Sequence, residues 1–191
     1  MLTGALIFLI DTAFGLFTLA LLLRFYLQCV RASYRNPVSE FLSAITDFAV
    51  RPARRVIPGL WGLDLSTLVL AWLSQLVEIL LVLQIKGYPT QSVTATGMAG
   101  LALLSMVLMF KLGLYIVMVA VIIQAVLSWI NPYSSVAPLL NSMTRPFLRV
   151  FQKLIPPIGN VDLSPLFVII ICQLLLMVPV AYFELMLSRL L

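Results

Sequence analysis

The sequence contains no histidine, only two cysteines and few charges. Each shortage closes off a class of chemistry. Without histidine there is no His-ligated haem, no His-containing zinc site and no Ser-His or Cys-His nucleophile. Cys29 and Cys172 stand far apart, with no Cys-x-x-Cys spacing to suggest a redox pair or a metal clip. Charged residues make up 10% of the chain and hydrophobic residues 62%, against roughly 25% and about 45–50% in a soluble domain. A chain of 191 residues has the length of one globular domain but lacks the polar surface to face water. The composition predicts an all-α, polytopic membrane protein. The formal charge of +5 does not point to nucleic acid, because the bases gather in two loops beside apolar segments, as membrane orientation requires. No clustered acidic motif supports carboxylate catalysis. Nothing in the chain reads as an enzyme, and no cofactor is expected.

What is present is organised by repetition, which comes before any other argument about fold. Shifting the chain by 98 residues lays Ile45–Leu76 on Met143–Leu174. Thr46 then meets Thr144, Arg51 meets Arg149, Ile57-Pro58 meets Ile155-Pro156, and Asp64-Leu65-Ser66 meets Asp162-Leu163-Ser164. Asn36-Pro37 recurs as Asn131-Pro132, three residues out of that register. A constant offset through polar and apolar positions alike indicates a tandem repeat. The expected division is a first repeat over 1–86, a connecting hairpin or short helical extension over 87–110, and a second repeat over 111–191.

Four apolar segments are long enough to cross a bilayer, which takes about 20 helical residues. They are Leu2–Leu23, Leu63–Ile85, Leu112–Ile130 and Ser164–Leu187, the last with Pro179 expected to kink it. The first lacks the basic start of a signal peptide and has Asp11 inside it, so it is expected to be a retained helix. Asp64 or Ser66 can cap the second. Lys86-Gly87-Tyr88-Pro89 ends that span, and a Thr/Ser/Gly-rich turn follows to Gly97. Met98–Ile130 exceeds one span, and Lys111 divides it. Met98–Phe110 is expected to be a helical extension, a re-entrant piece or one arm of an interfacial hairpin. The loop from Arg24 to Gly62 carries Arg24, Arg31, Arg35, Arg51, Arg54 and Arg55 against Glu40 and Asp47. The loop from Asn131 to Asp162 carries Arg145, Arg149 and Lys153. Both loops belong on the cytoplasmic side, so an even number of crossings separates them. The termini then lie outside, and the repeats are parallel rather than inverted.

The stretch after Asn36 predicts an amphipathic helix rather than a span. Asn36 suits the N-cap and Pro37 the first helical position. Val38, Phe41, Leu42, Ile45, Phe48, Ala49 and Pro52 share one face, with Glu40, Asp47, Arg51 and Arg54 opposite. Asp47 precedes Arg51 by four residues, the favourable order for a helix ion pair, and Pro52 is expected to break or kink the helix. An Arg-rich helix of this kind beside apolar spans reads as one lying in the membrane interface. The alternative is a helix packed on the protein's own loops.

At Leu21-Leu22-Leu23-Arg24, Asn36-Pro37, Arg54-Arg55-Val56-Ile57-Pro58 and Asp64 the chain resembles the YggT family of small bacterial membrane proteins. The second copy carries the resemblance at Asn131-Pro132, Thr144, Pro146, Leu148-Arg149, Ile155-Pro156-Pro157-Ile158-Gly159 and Asp162-Leu163-Ser164-Pro165. Copy one departs from the pattern at Phe48. Copy two departs at Val150 and at Gln152-Lys153, where the first has an arginine pair. The resemblance implies an integral inner-membrane protein with two tandem repeats and no catalytic activity. It also implies links to osmotic or ionic stress tolerance and potassium handling and, in plastid relatives, to thylakoid cytochrome assembly and nucleoid organisation.

The polar residues carry paired readings. Asp64 and Asp162 are helix caps, or ion or partner contacts at the mouth of the protein. Arg51, Arg54, Arg55, Arg149 and Lys153 are expected to meet anionic lipid headgroups or a membrane-protein partner. Ionisable residues within spans face the bundle interior as a rule, which singles out Asp11, Glu78, Lys111 and Glu184. Aligning Arg24 with Gln124 sets Asp11 against Lys111. The outcome is a structural ion pair, or a cation vestibule built from Asp11 and Glu78. Two function classes follow: a scaffold or assembly factor in the lipid bilayer, and a small ion-conducting or ion-regulating protein acting as a homo-oligomer. Against the second, the spans show no carbonyl filter and no ring of acids.

Overall fold

The computed structural model describes residues 1–32, 36–59, 62–88, 95–131, 134–154 and 162–188. Its regular structure is helical: α1 (Leu2–Cys29), α2 (Pro37–Val56), α3 (Leu65–Ile85), α4 (Ala95–Ile130), α5 (Ala137–Leu154), α6 (Ser164–Leu175) and α7 (Ala181–Ser188). A π-helical turn, Leu176–Val180, joins the last two and contains Pro179. The wider turn absorbs the hydrogen bond that proline cannot make, and Ser164–Ser188 remains one continuous span.

Four of these segments are long and apolar enough to cross a membrane, and only 17% to 22% of their most apolar windows is buried inside the protein. Phe8, Leu16, Trp129 and Met177 point outward. Their number and length call for a lipid solvent rather than water. The chain is a multi-pass membrane protein.

Two hairpins make up the bundle. In the first, the Gln28 side-chain amide donates to the Gly62 carbonyl (2.9 Å) at one end, and the Thr18 hydroxyl donates to Ser74 (3.0 Å) further along. That order makes α1 and α3 antiparallel. Thr18 is fully buried and Ser74 nearly so, so each hydroxyl meets its hydrogen-bonding need inside the hairpin. In the second, Val117 and Val121 of α4 pack on Val168 and Cys172 of α6, with Leu148 of α5 closing the cluster. Leu21, Ile116 and Ala120 join the halves in one core. The Tyr26 hydroxyl donates to the Met143 carbonyl of α5, and the Trp72 indole donates to the Ala102 carbonyl of α4 (3.1 Å). Because α2 docks at Arg24 and α5 at Tyr26, both short helices lie at the same end of α1.

Several expectations change. The first span continues past Leu23 to Cys29, which places Arg24 in a helix rather than in a loop. The stretch 98–110 is the helical extension, since α4 runs unbroken for 36 residues and Lys111 does not divide it. Pro52 does not end α2. Phe48, whose carbonyl proline leaves free, is exposed, while Val50 is fully buried on the inner side, so packing carries the helix past the missing bond. The single apolar face also splits. Leu42, Thr46 and Val50 turn inward; Phe41, Ile45 and Phe48 are exposed. The 89–94 part of the turn, Pro132, the 155–161 motif and Arg189 lie outside the described residues.

Candidate functional site

Asn36 caps α2 as its sequence suggests, its side-chain oxygen accepting from the Ser39 amide at 2.8 Å. The cap starts the helix in a register that sends Thr46 and Asp47 to Arg24. Arg24 is buried, and its Nη1 donates to the Thr46 hydroxyl and to Asp47 Oδ1, both at 2.7 Å. Asp47 also receives Arg51, at 2.7 Å from Nη2. A guanidinium in a dry site must have its charge matched, and the short helix supplies the carboxylate. The hydrogen bond from Arg24, with help from Arg51, holds the Asp47 carboxyl below the usual carboxylate range against a smaller opposing effect of burial.

A second joint fastens the other end of α2. Asp64 is buried and accepts from Arg54 Nε (2.7 Å), the Thr67 hydroxyl (2.8 Å) and the Ser66 hydroxyl. Burial alone would raise the Asp64 carboxyl; the hydrogen bonds from Arg54, Ser66 and Thr67 overcome it and lower it. Asp64 precedes α3 as expected of a cap, but its side chain bonds no backbone amide of the helix. The hydroxyls of the first turn and the arginine take its oxygens instead.

The second repeat rebuilds both joints with glutamine in place of arginine. Thr144 bonds Gln124, the counterpart of Arg24, and like Thr46 it donates back to the carbonyl four residues earlier. Gln152, at Arg54's register, donates to Asp162 at 2.8 Å, and Asp162 accepts the Ser164 amide at 2.8 Å. Burial would raise Asp162, and the Ser164 and Gln152 hydrogen bonds lower it.

Comparison with known proteins finds the same duplication. A family model described as CCB3/YggT covers residues 3–85 and again 101–183. The chain belongs to the CCB3/YggT family. It is similar to an uncharacterized protein of Pseudomonas aeruginosa, 39% identical over 91% of this chain and 87% of that one. It also resembles the uncharacterized YggT of Escherichia coli K12, 28% identical over 88% of this chain and 85% of that one. An uncharacterized Haemophilus influenzae protein is 30% identical over 85% and 84%. No solved structure matches the chain.

Within the two CCB3/YggT segments the other singled-out residues separate into groups. Lys111 bonds both oxygens of Glu184, at 2.8 and 3.1 Å. Of the two readings of the Asp11–Lys111 alignment, the ion pair between them does not form: Lys111 pairs with Glu184 on α7 instead. Asp11 and Glu78 do come within electrostatic range of each other, and Glu78 accepts from Gln75 at 2.9 Å. Among the described residues no group of three or more acids, cysteines or histidines is placed to hold a metal. Arg51 and Arg54 are occupied by Asp47 and Asp64. Arg55, Arg149 and Lys153 are exposed. Arg24 is the residue that sequence reasoning misses, because an arginine that ends an apolar run has the pattern of a loop's first residue, whereas α1 continues past it. Its signal was the conjunction of an arginine ending an apolar run with an acid on the next helix.

Proposed function

We propose that this CCB3/YggT protein is a non-enzymatic scaffold of the bacterial inner membrane. On this reading α2 and α5 are amphipathic helices lying in the cytoplasmic interface. They present basic side chains to anionic lipid and to an acidic membrane-protein partner or a second copy, in the service of osmotic or ionic stress tolerance. The observation that carries it is the pair of joints that fix two basic helices at one end of the bundle, Arg24–Thr46–Asp47 and Gln124–Thr144. A helix tied so firmly keeps Arg55, Arg149 and Lys153 outward at fixed positions. The test is growth at high salt of a strain lacking the gene, complemented by wild type or by R55E/R149E/K153E. The scaffold reading expects the variant to insert normally and fail to complement. Full complementation contradicts it.

A second reading, ion handling by an oligomer, is supported by the nearness of Asp11 and Glu78, since two carboxylates together attract a cation. It expects potassium flux in proteoliposomes that D11N/E78Q abolishes. The scaffold reading expects no flux in either.

A further inference from the structure

Opposite the joint of α2, the second repeat leaves its arginines without counter-charge. Arg145 stands where Asp47 stands in the first copy, and Arg149 where Arg51 stands. In the first copy Asp47 neutralises Arg51; among the described residues neither Arg145 nor Arg149 has an acid within ion-pair distance. Both are exposed and line a cleft of about 680 Å³ with Arg31, at the end of α1. Three arginines thus line one opening.

Arg31 reaches that cleft from an unusual backbone. α1 ends with the Arg31 amide donating to Gln28 (3.0 Å) and the Ala32 amide to Leu27 (2.9 Å). That is the Schellman closure, which places its key residue in the left-handed region. α3 closes in the same way on Gly87, φ 82°. α1 uses Arg31, φ 51°, the one non-glycine residue with positive φ among those described. Such a position favours glycine, and an arginine held there points to use of its side chain.

A second space shares Pro146 with the cleft in its lining. This is an apolar groove of about 470 Å³ beneath α5 and between the two halves, walled by Tyr26, Phe110, Phe147, Phe151 and Leu175 and floored by Gly113. Its size falls in the range of roughly 300–1,000 Å³ typical of ligand sites. A comparable groove of about 520 Å³, walled by Leu19 and Ile123, has no arginine in its lining. Charge therefore distinguishes the two. An apolar wall and a cationic mouth that meet at Pro146 match one amphiphile with an anionic head.

We propose that the Arg31–Arg145–Arg149 cleft and the Gly113 groove together bind one anionic phospholipid of the surrounding bilayer, its phosphate at the arginines and an acyl chain in the groove. Basic pockets between membrane helices hold anionic headgroups in this way. The site stands whether or not the chain recruits a protein partner. No equivalent forms at α2, because only in the second repeat does an arginine replace the acid of the joint.

The test is a melting-temperature titration of the full chain in neutral detergent. The additives are phosphatidylglycerol, phosphatidylcholine with the same chains, and inorganic phosphate. Phosphatidylglycerol is expected to raise the melting temperature by several degrees, and the other two to leave it unchanged. R145Q/R149Q, at two exposed positions, moves the half-saturating phosphatidylglycerol concentration up about 30-fold. Gly113→Leu keeps all three arginines but fills the groove, where an added Cβ meets nothing within 4 Å, and it is expected to weaken the response similarly. K86Q, at the far end of α3, titrates as wild type. Three results overturn the proposal: an equal response to phosphatidylcholine, a full response to phosphate alone, or wild-type titration by both R145Q/R149Q and Gly113→Leu. A response that appears only as the chain dimerises overturns it too, and assigns the groove to a second copy.

Discussion

At the scale of the residue, the account rests on Arg24 and its carboxylate. Removing Asp47 strands a buried guanidinium with the Thr46 hydroxyl alone, and breaking a buried pair from one side costs about 3 kcal/mol or more. Asp47→Ala is therefore expected to lower the unfolding free energy by about that amount. Arg51→Ala, which removes a largely exposed partner, costs under about 1 kcal/mol. Urea unfolding in a mild detergent measures both, and equal losses would deny the joint its role. The sign of the acid response follows from the same contacts. Asp47, Asp64 and Asp162 have folded values below their unfolded ones. Their contribution is complete above the ordinary carboxylate value near about pH 4 and is lost as pH falls through the lowered values. Asp47→Ala removes part of that acid dependence. The sequence pointed to Asp64 and Asp162 through the repeat, but not to the hydroxyls and arginine that Asp64 binds in place of an amide. Those partners depend on how α2 docks, which no local pattern records.

At the scale of the element, α2 was legible in its beginning and its type. Asn36 and Pro37 start it, and Asp47 pairs with Arg51 as their spacing requires. Its inner side was less legible, since a lipid-facing apolar stripe and a core-facing one look alike in a sequence. Only packing distinguishes Leu42, which is 4% exposed, from Phe41, which is 63% exposed. Leu42→Ala is accordingly expected to cost about 2–4 kcal/mol in detergent. Phe41→Asp leaves detergent stability within about 1 kcal/mol and instead weakens the hold of α2 on a bilayer. Thermal unfolding of the two variants, beside flotation of an isolated α2 peptide with each change, separates the effects. A larger detergent loss for Phe41→Asp would put the wrong side inward. The long helix α4 gives the same lesson from another direction: the apolar run from Met98 read as too long for one span, and it is simply one long helix.

At the scale of the whole molecule, the repeat carried most of what was readable. A constant offset of 98 residues announced two like halves, and the halves do rebuild one joint, Arg24–Thr46 in the first and Gln124–Thr144 in the second. What the offset hid is that the copies differ in charge at equivalent places. Asp47 against Arg145 and Arg54 against Gln152 leave the joints of the first copy ion-paired and those of the second without an ion pair among the described residues. The partner of Lys111 was also hidden, because Glu184 reaches it from the end of the last span rather than from the pseudo-equivalent α1. The repeats are expected to run parallel and to hold α2 and α5 on one side of the membrane. With Cys29 and Cys172 replaced by serine, single cysteines at Glu40 and Asn141, both exposed, are labelled by a membrane-impermeant maleimide in intact cells and in inverted vesicles. Both are expected to react in inverted vesicles and to be protected in intact cells. Labelling of the two from opposite sides contradicts the parallel arrangement.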